Sequence, residues 1–348
     1  MTGVPHNRLT HGEAEVQQVA SVLRSGMWAM GPQVRQLEAD LAGRLGRKHA
    51  VAVGSGLGAL RLTLLGLGIQ PGDDVLVPAY SCVALPNAVL SCGARPVAVD
   101  VLPDRLTIDP AAAAAAAGPR TRAIVAVHTF GVPADIAALR RTGLALIEDC
   151  AHGIAVAGMG SLGDAAITSF YATKLIGAGE GGAIISDNAQ LGEFAARSRD
   201  YGDQAADARR LNDKMTDIEA ALARSQLARL AEMIERREAI ARRYREALAP
   251  LAENGRLVLP WASGSRIWYR FAIGTPNGGA EAFAARLRRR GIGAELPVCD
   301  WRDDPSVHLV STRLYRSLVS LPIYPTLTAA EQDAVIAAVH EACRDTTR

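Results

Sequence analysis

Long apolar runs are missing from this chain of 348 residues, and no uninterrupted stretch reaches the ~20 residues of a membrane-spanning helix. The opening segment, MTGVPHNRLTHGEAEV, is polar and charged where a secretory leader would be apolar, so no signal peptide is expected. Cysteine is sparse. Its five positions, Cys82, Cys92, Cys150, Cys299 and Cys343, are odd in number and lack the close pairs of a structural zinc site. A reducing cytoplasm, with no disulfides and no metal, is the expected setting. Charge of one sign is not in excess either. The net charge is +2, without a basic tract or an acidic tail, which argues against nucleic acid or a membrane surface as partner.

What is present is an ordinary globular mixture, 49% hydrophobic and 21% charged. The length suits one large domain, expected over 1–248, followed by a smaller C-terminal α/β domain over 249–348. Short apolar, β-branched runs fall at 50–53, 74–77, 96–99, 123–127, 144–148, 165–170 and 182–186. Near-continuous apolarity of this kind predicts strands covered on both faces. Amphipathic stretches at 57–67 and 83–91 predict helices between them. The alternation reads as an α/β fold, a three-layer, mainly parallel, doubly wound sheet.

The alanine run 111–117 follows Asp109-Pro110, a helix cap and first-turn pair, and predicts a short structural helix. A longer helical region is expected over 216–247, ending near Pro250. Beyond it, strands are expected at 256–259 and 267–273, a helix at 281–290, and a last helix over 329–343 opened by the Thr328/Glu331 capping box.

The chemistry concentrates in two segments, LIEDCAH (146–152) and GDAAITSFYATK (163–174). Asp149 ends an apolar strand, at the sheet edge where open α/β folds bind ligands. A carboxylate there can pair with a protonated pyridine nitrogen. Lys174 follows the next strand in the turn TKLIGAGEGG; its amine can form an imine with an aldehyde and, once released, move a proton. Either residue alone reads as a capping aspartate or a solvated lysine. The two together at strand ends point to a site. Gly54-Ser55-Gly56, between a strand and a helix, offers close backbone approach and free amides to a phosphate. Ser169 can add a hydroxyl, or else bond to backbone.

These segments, with SGMWAMGP (25–32), RPVAVDV (95–101), RLNDKMTDIEAALARSQLARL (210–230) and LPIYPTLT (321–328), resemble the DegT/DnrJ/StrS sugar aminotransferases nearly end to end. That family is a branch of the aspartate-aminotransferase-like fold type I and uses pyridoxal 5'-phosphate. The resemblance implies that Lys174 is the catalytic lysine that carries the cofactor as an imine, and that Asp149 faces the pyridine nitrogen. It implies that Ser55, Gly56, Leu57 and Ser169 bind the phosphate and that His152 lies near the phenolic oxygen. It further implies that Asn212 reaches the neighbouring subunit's cofactor, making a homodimer with shared active sites.

Two positions depart from the family. Leu57 stands where threonine is common, removing a hydroxyl. Cys82 stands where an aromatic residue often covers the ring, with Tyr80 nearby as a partial substitute. Trp28, Met30 and Tyr80 are candidates for the substrate pocket, the N-terminal 30 residues contributing to the site. His128 reads as structural, Tyr171 as core, and Trp268-Tyr269 as part of a strand. The implied activity moves an amino group from glutamate to a nucleotide-linked keto-sugar for glycan or natural-product synthesis. A cyclitol or other small ketone as acceptor, or a non-catalytic regulatory protein that only binds the cofactor, are the alternatives.

Overall fold

The computed structural model describes residues 3–154, 158–202, 211–262, 264 and 266–344. Its main sheet has seven strands: β1 (His49–Val53), β2 (Asp74–Pro78), β3 (Arg95–Val99), β4 (Thr121–Val127), β5 (Ala145–Asp149), β6 (Ala165–Ser169) and β7 (Gly182–Ser186), in the order β1-β7-β6-β5-β4-β2-β3. From β3 to β6 neighbours run parallel, and β7 is antiparallel to β6 and β1. The central strands are apolar on both faces because both are covered, with Val75, Leu76, Ile124, Val125, Leu146 and Ile147 all fully buried.

Helices α1 (Glu13–Ser25) and α2 (Pro32–Leu45) precede the sheet, and α3 (Gly56–Gly66), α4 (Ala84–Ser91), α5 (Pro110–Ala116), α6 (Ile136–Arg140) and α7 (Ala189–Ser198) lie within it in sequence. Leu60, Leu62 and Leu64 of α3 join Val75, Val125 and Ile147 in the core on one face. On the other, α2 and α8 (Asp217–Ala228) bring Leu37, Leu41, Ala220 and Ala223 to Ala166 and Ile185. The result is the expected three-layer, mainly parallel fold. Asp217 ties two of these helices together. Gly31 has no side chain to cap α2, and the Asp217 carboxylate instead accepts from the amides of Gly31, Gln33 and Val34 at 2.8, 3.1 and 2.9 Å.

A second core surrounds a two-stranded antiparallel sheet, β8 (Phe271–Gly274) and β9 (Leu318–Leu321), with α9 (Leu230–Glu253), α10 (Ala280–Arg289) and α12 (Ala329–Arg344). A short α11 (Leu309–Ser317) leads into β9. The N-terminal segment docks here: Val4 donates to Gly291 and accepts from Gly293, at 2.8 and 2.7 Å.

Several expectations needed adjustment in this half. The 216–247 helix is two helices that meet at Arg229, and α9 continues through Pro250 to Glu253. No strand forms at 256–259; only Val258 pairs, as an isolated bridge to Gly274. The strand expected at 267–273 begins only at Phe271, because the carbonyls of Trp268 and Tyr269 are taken by the buried guanidinium of Arg237, at 3.3 and 3.2 Å. The last helix and its Thr328/Glu331 capping box are as read, the Thr328 amide donating to Glu331 at 2.8 Å.

Candidate active site

In-register pairing lines up Val127, Asp149 and Ile167 across β4, β5 and β6, and side chains level with one another in neighbouring strands share a face. All three form part of a cavity of about 330 Å³ at the carboxyl edge of the sheet. Into the same cavity come Gly56 and Leu57 from the start of α3, Tyr80 and Cys82 after β2, His152 after β5, and Ser169 and Lys174 from the end of β6 and its following turn.

Asp149 is 6% exposed, and its Oδ1 accepts from the amide of Ala151 at 2.9 Å. Burial raises its carboxyl above the ordinary range, against the pull of that hydrogen bond and of the Lys174 and His128 charges. Its strand neighbour Glu148 points to the other face. There it accepts from His128 at 3.0 Å and from the amides of Gly160, Leu162 and Gly163 at 2.9, 2.8 and 2.5 Å. Burial pushes this carboxyl up, but His128 and the amides outweigh it and hold it below its usual value. His128 uses its other nitrogen to accept from Ala134, so it is a satisfied structural histidine. With Cys150 these two residues have the spacing of a metal site, but their nitrogen and oxygen atoms are committed to hydrogen bonds.

Lys174 Nζ lies 3.1 Å from His152 Nε2 and 5.3 Å from the centroid of the Tyr269 ring. The amide of Phe130 donates to His152 Nδ1 at 3.3 Å, which leaves Nε2 as the nitrogen that faces Lys174. Burial, then the charges of Lys174 and Arg270, keep this imidazole well below its ordinary basicity. Tyr269 stacks on it, with centroids 4.2 Å apart and planes at 15°. The lysine turn closes tightly: a Cβ on Gly177 would stand 2.4 Å from the carbonyl oxygen of Ala172.

At the other end, Ser55 caps α3 by accepting from Gly58 at 3.0 Å. Gly56 and Leu57 thus hold the first helical positions, whose amides have no partner within the helix. A Cβ on Gly56 would come 2.8 Å from Cβ of Ser169, so only glycine keeps this wall open. Ser169 Oγ accepts from Tyr171 at 3.2 Å.

Four expected residues are not among those lining the cavity in the single chain: Ser55, whose hydroxyl caps α3 beside it, and three that stand further apart. Asn212 is exposed, Trp28 is 55% exposed with its indole donating to Leu23, and Met30 sits in left-handed backbone at φ 33° before α2. Tyr80 does line the cavity, fully buried, its hydroxyl unbonded among the described residues. Tyr171, expected in the core, is instead 48% exposed and lines the cavity. The reading from sequence missed Tyr269 and Arg270, which line the site from the backbone just before β8, and Phe130, held at φ 53°. The visible clue was one arginine inside the apolar run IWYRFAI.

A model of the DegT/DnrJ/EryC1/StrS aminotransferase family matches residues 10–340. The chain belongs to this family. Among solved structures, the aminotransferase TlmJ from Streptoalloteichus hindustanus is 29% identical, with a TM-score of 0.93 over 99% of this chain and 100% of that one. DesV of S. venezuelae, solved with a ketimine intermediate, is 32% identical at a TM-score of 0.88, covering 98% and 99%. NtdA from Bacillus subtilis, solved with the cofactor PMP, is 28% identical at 0.91, covering 99% and 86%. The aminotransferase is therefore a pyridoxal-phosphate-dependent enzyme of fold type I, in a family of sugar aminotransferases. Its residues fit that cofactor: Asp149 is a buried carboxylate lacking, among the described residues, a cation partner at hydrogen-bond distance, and Gly56 opens a cradle that any Cβ would fill. Cys82, Cys150 and Cys299 are free thiols. Among the described residues, no helix is long and apolar enough to cross a membrane.

Proposed function

We propose that this aminotransferase moves the amino group of glutamate to the ketone of a nucleotide-linked keto-sugar, with Lys174 as its catalytic residue. The observation that carries this reading is the lysine amine, 3.1 Å from a neutral histidine, in the same cavity as the buried, unpaired Asp149. Bound pyridoxal phosphate supplies an electron sink for the pair released when a C–H bond beside the transferred nitrogen breaks. Asp149 keeps the ring nitrogen protonated, because the buried carboxylate gains its missing cation there. Nζ of Lys174 takes the proton from the donor's α-carbon and returns it on the other side of the cycle. His152 offers its Nε2–H to the phenolic oxygen. Ser55, Gly56, Leu57 and Ser169 hold the phosphate through first-turn amides and hydroxyls. Cys82 and Tyr80 bound the ring pocket.

The same proposal includes a homodimer with shared sites, supported by the exposure of Asn212 and Trp28 outside the chain's own cavity. Met30 and the N-terminal segment belong to that shared wall. It also includes the division at residue 248 and a cytoplasmic setting for polysaccharide or natural-product sugar synthesis, the latter supported by the free thiols.

The test is an absorbance spectrum of the loaded enzyme before and after glutamate, for the wild type and Lys174→Ala, followed by a screen of keto-sugar nucleotides and free cyclitol ketones. Conversion by the wild type alone is the expected result. A spectrum that glutamate leaves unchanged refutes the donor, and turnover of cyclitol ketones in preference to nucleotide sugars refutes the acceptor.

A further inference from the structure

One cation in the wall of the cavity has no carboxylate partner. Arg270 precedes β8, and among the described residues no carboxylate forms an ion pair with it. Its Nη1 lies 3.3 Å from His6 Nε2 and 3.4 Å from Ser320 Oγ, which are themselves 2.9 Å apart. His6 comes from the N-terminal segment that docks on the second core, and its Nδ1 lies 3.2 Å from Glu295. Contact with that carboxylate would favour a charged imidazole. Burial, then the Arg270 charge, prevail because Glu295 is more than half exposed, and they lower His6 to about 4. A neutral His6 can accept from Arg270, so the arginine is held on one nitrogen while its Nε and Nη2 edge has no protein partner among the described residues. That edge is the fork that takes a carboxylate through two parallel hydrogen bonds.

Its position relative to the lysine is bounded by a shared ring. The Arg270 guanidinium carbon and Lys174 Nζ lie 5.6 and 5.3 Å from the Tyr269 centroid, and both charges reach His152. Of the charges lining the cavity, Asp149 and Lys174 are assigned to the cofactor, whereas Arg270 is left over. We propose that Arg270, held in place by His6 and Ser320, binds a carboxylate of the amino-acid donor. This rests on the transamination reading above. It makes Arg270 a substrate-binding residue and His6 a positioning residue.

The test is conversion of the loaded enzyme by glutamate with no acceptor present. Arg270→Leu is expected to raise the half-saturating glutamate concentration about 10- to 100-fold, the scale of hydrogen bonds to a charged group. Conversion by 1-aminopropane, which lacks the carboxylate, should not weaken. Arg270→Lys, keeping the charge without the fork, should fall between, and it carries the test if the leucine variant does not fold. His6→Ala should raise KM for glutamate with little change in kcat, and His6→Gln, whose amide oxygen can still accept, should restore it. A leucine variant with the wild-type half-saturating concentration overturns the assignment. If that variant then fails only on adding a nucleotide sugar, the guanidinium serves the acceptor's phosphates instead. Should glutamate not convert the wild type at all, the donor reading fails by itself, and calorimetric titration with glutarate decides the anchor: weaker binding by the variant supports it, and equal binding overturns it.

Discussion

Asparagine at position 149 is expected to push the protein in opposite directions with and without its cofactor. Asp149 is 6% exposed, with one amide at 2.9 Å to satisfy it. Its raised carboxyl binds a proton more tightly in the folded chain than the ~3.9 of an unfolded aspartate. Folded stability therefore falls as pH rises from that value through the raised one, and the full cost is present above it. Asparagine has nearly the same shape and does not ionise. We expect the apoprotein to gain about 1–2 kcal/mol, the scale of relieving a poorly satisfied buried group. At an unfolding entropy of ~2.1 cal/mol/K per residue over 348 residues, that is a rise of ~1–3 °C in Tm. The loaded enzyme loses instead. Removing one partner of a buried ion pair costs about 3–5 kcal/mol, or roughly 100- to 4,000-fold in cofactor affinity. Scanning calorimetry on both forms near neutral pH, with an absorbance titration of pyridoxal phosphate, measures the two effects. An apoprotein that melts well below the wild type, or a variant that keeps its cofactor affinity, would refute the reasoning.

Two further substitutions probe the frame around this site. Gly56→Ala should weaken cofactor binding and cost about 1–3 kcal/mol, because its Cβ would meet Ser169 Cβ at 2.8 Å; adding Ser169→Gly should recover much of both, read by cofactor titration and denaturant unfolding. Glu148→Gln should destabilise the fold at neutral pH and flatten its acid unfolding profile. The lowered carboxyl contributes stability above the unfolded value of ~4.3, and that contribution is lost as pH falls through the folded one. A variant with the wild-type acid profile would show that the His128–Glu148 network adds nothing.

The residues proposed to hold the cofactor stood out because they sit on regular elements or directly after them. Asp149 and Lys174 follow apolar strands whose ends a parallel sheet brings to one edge, and Ser55 and Gly56 open a helix directly after β1. Periodicity and small-residue spacing report such positions. Tyr269 and Arg270 were not legible, because local pattern favours a strand across 267–273 and the reason it fails is distant. Arg237 on α9, buried and lowered to about 10 by that burial, draws the carbonyls of Trp268, Tyr269 and Ile323 to itself and holds the segment off the sheet. Likewise, nothing around His6 announces that Val4 docks beside Gly291 and delivers it to Arg270. Contacts separated by hundreds of residues leave no periodic trace.

This difference in legibility follows a division of labour. The groups assigned to the cofactor sit at the ends of the main sheet's strands or on the turns and the helix that follow them. The groups left to meet substrates, Tyr269, Arg270 and Val298, arrive on irregular backbone just before β8 and after α10. On the donor assignment proposed above, a change at Arg270, or at His6 behind it, alters what the cavity accepts while leaving the elements that carry Asp149 and Lys174 in place. Donor and acceptor preference can therefore drift while the cofactor chemistry stays constant. That separation also explains why a match across residues 10–340 determines the reaction class but leaves the substrate to be read from a few side chains at the joint between the two cores.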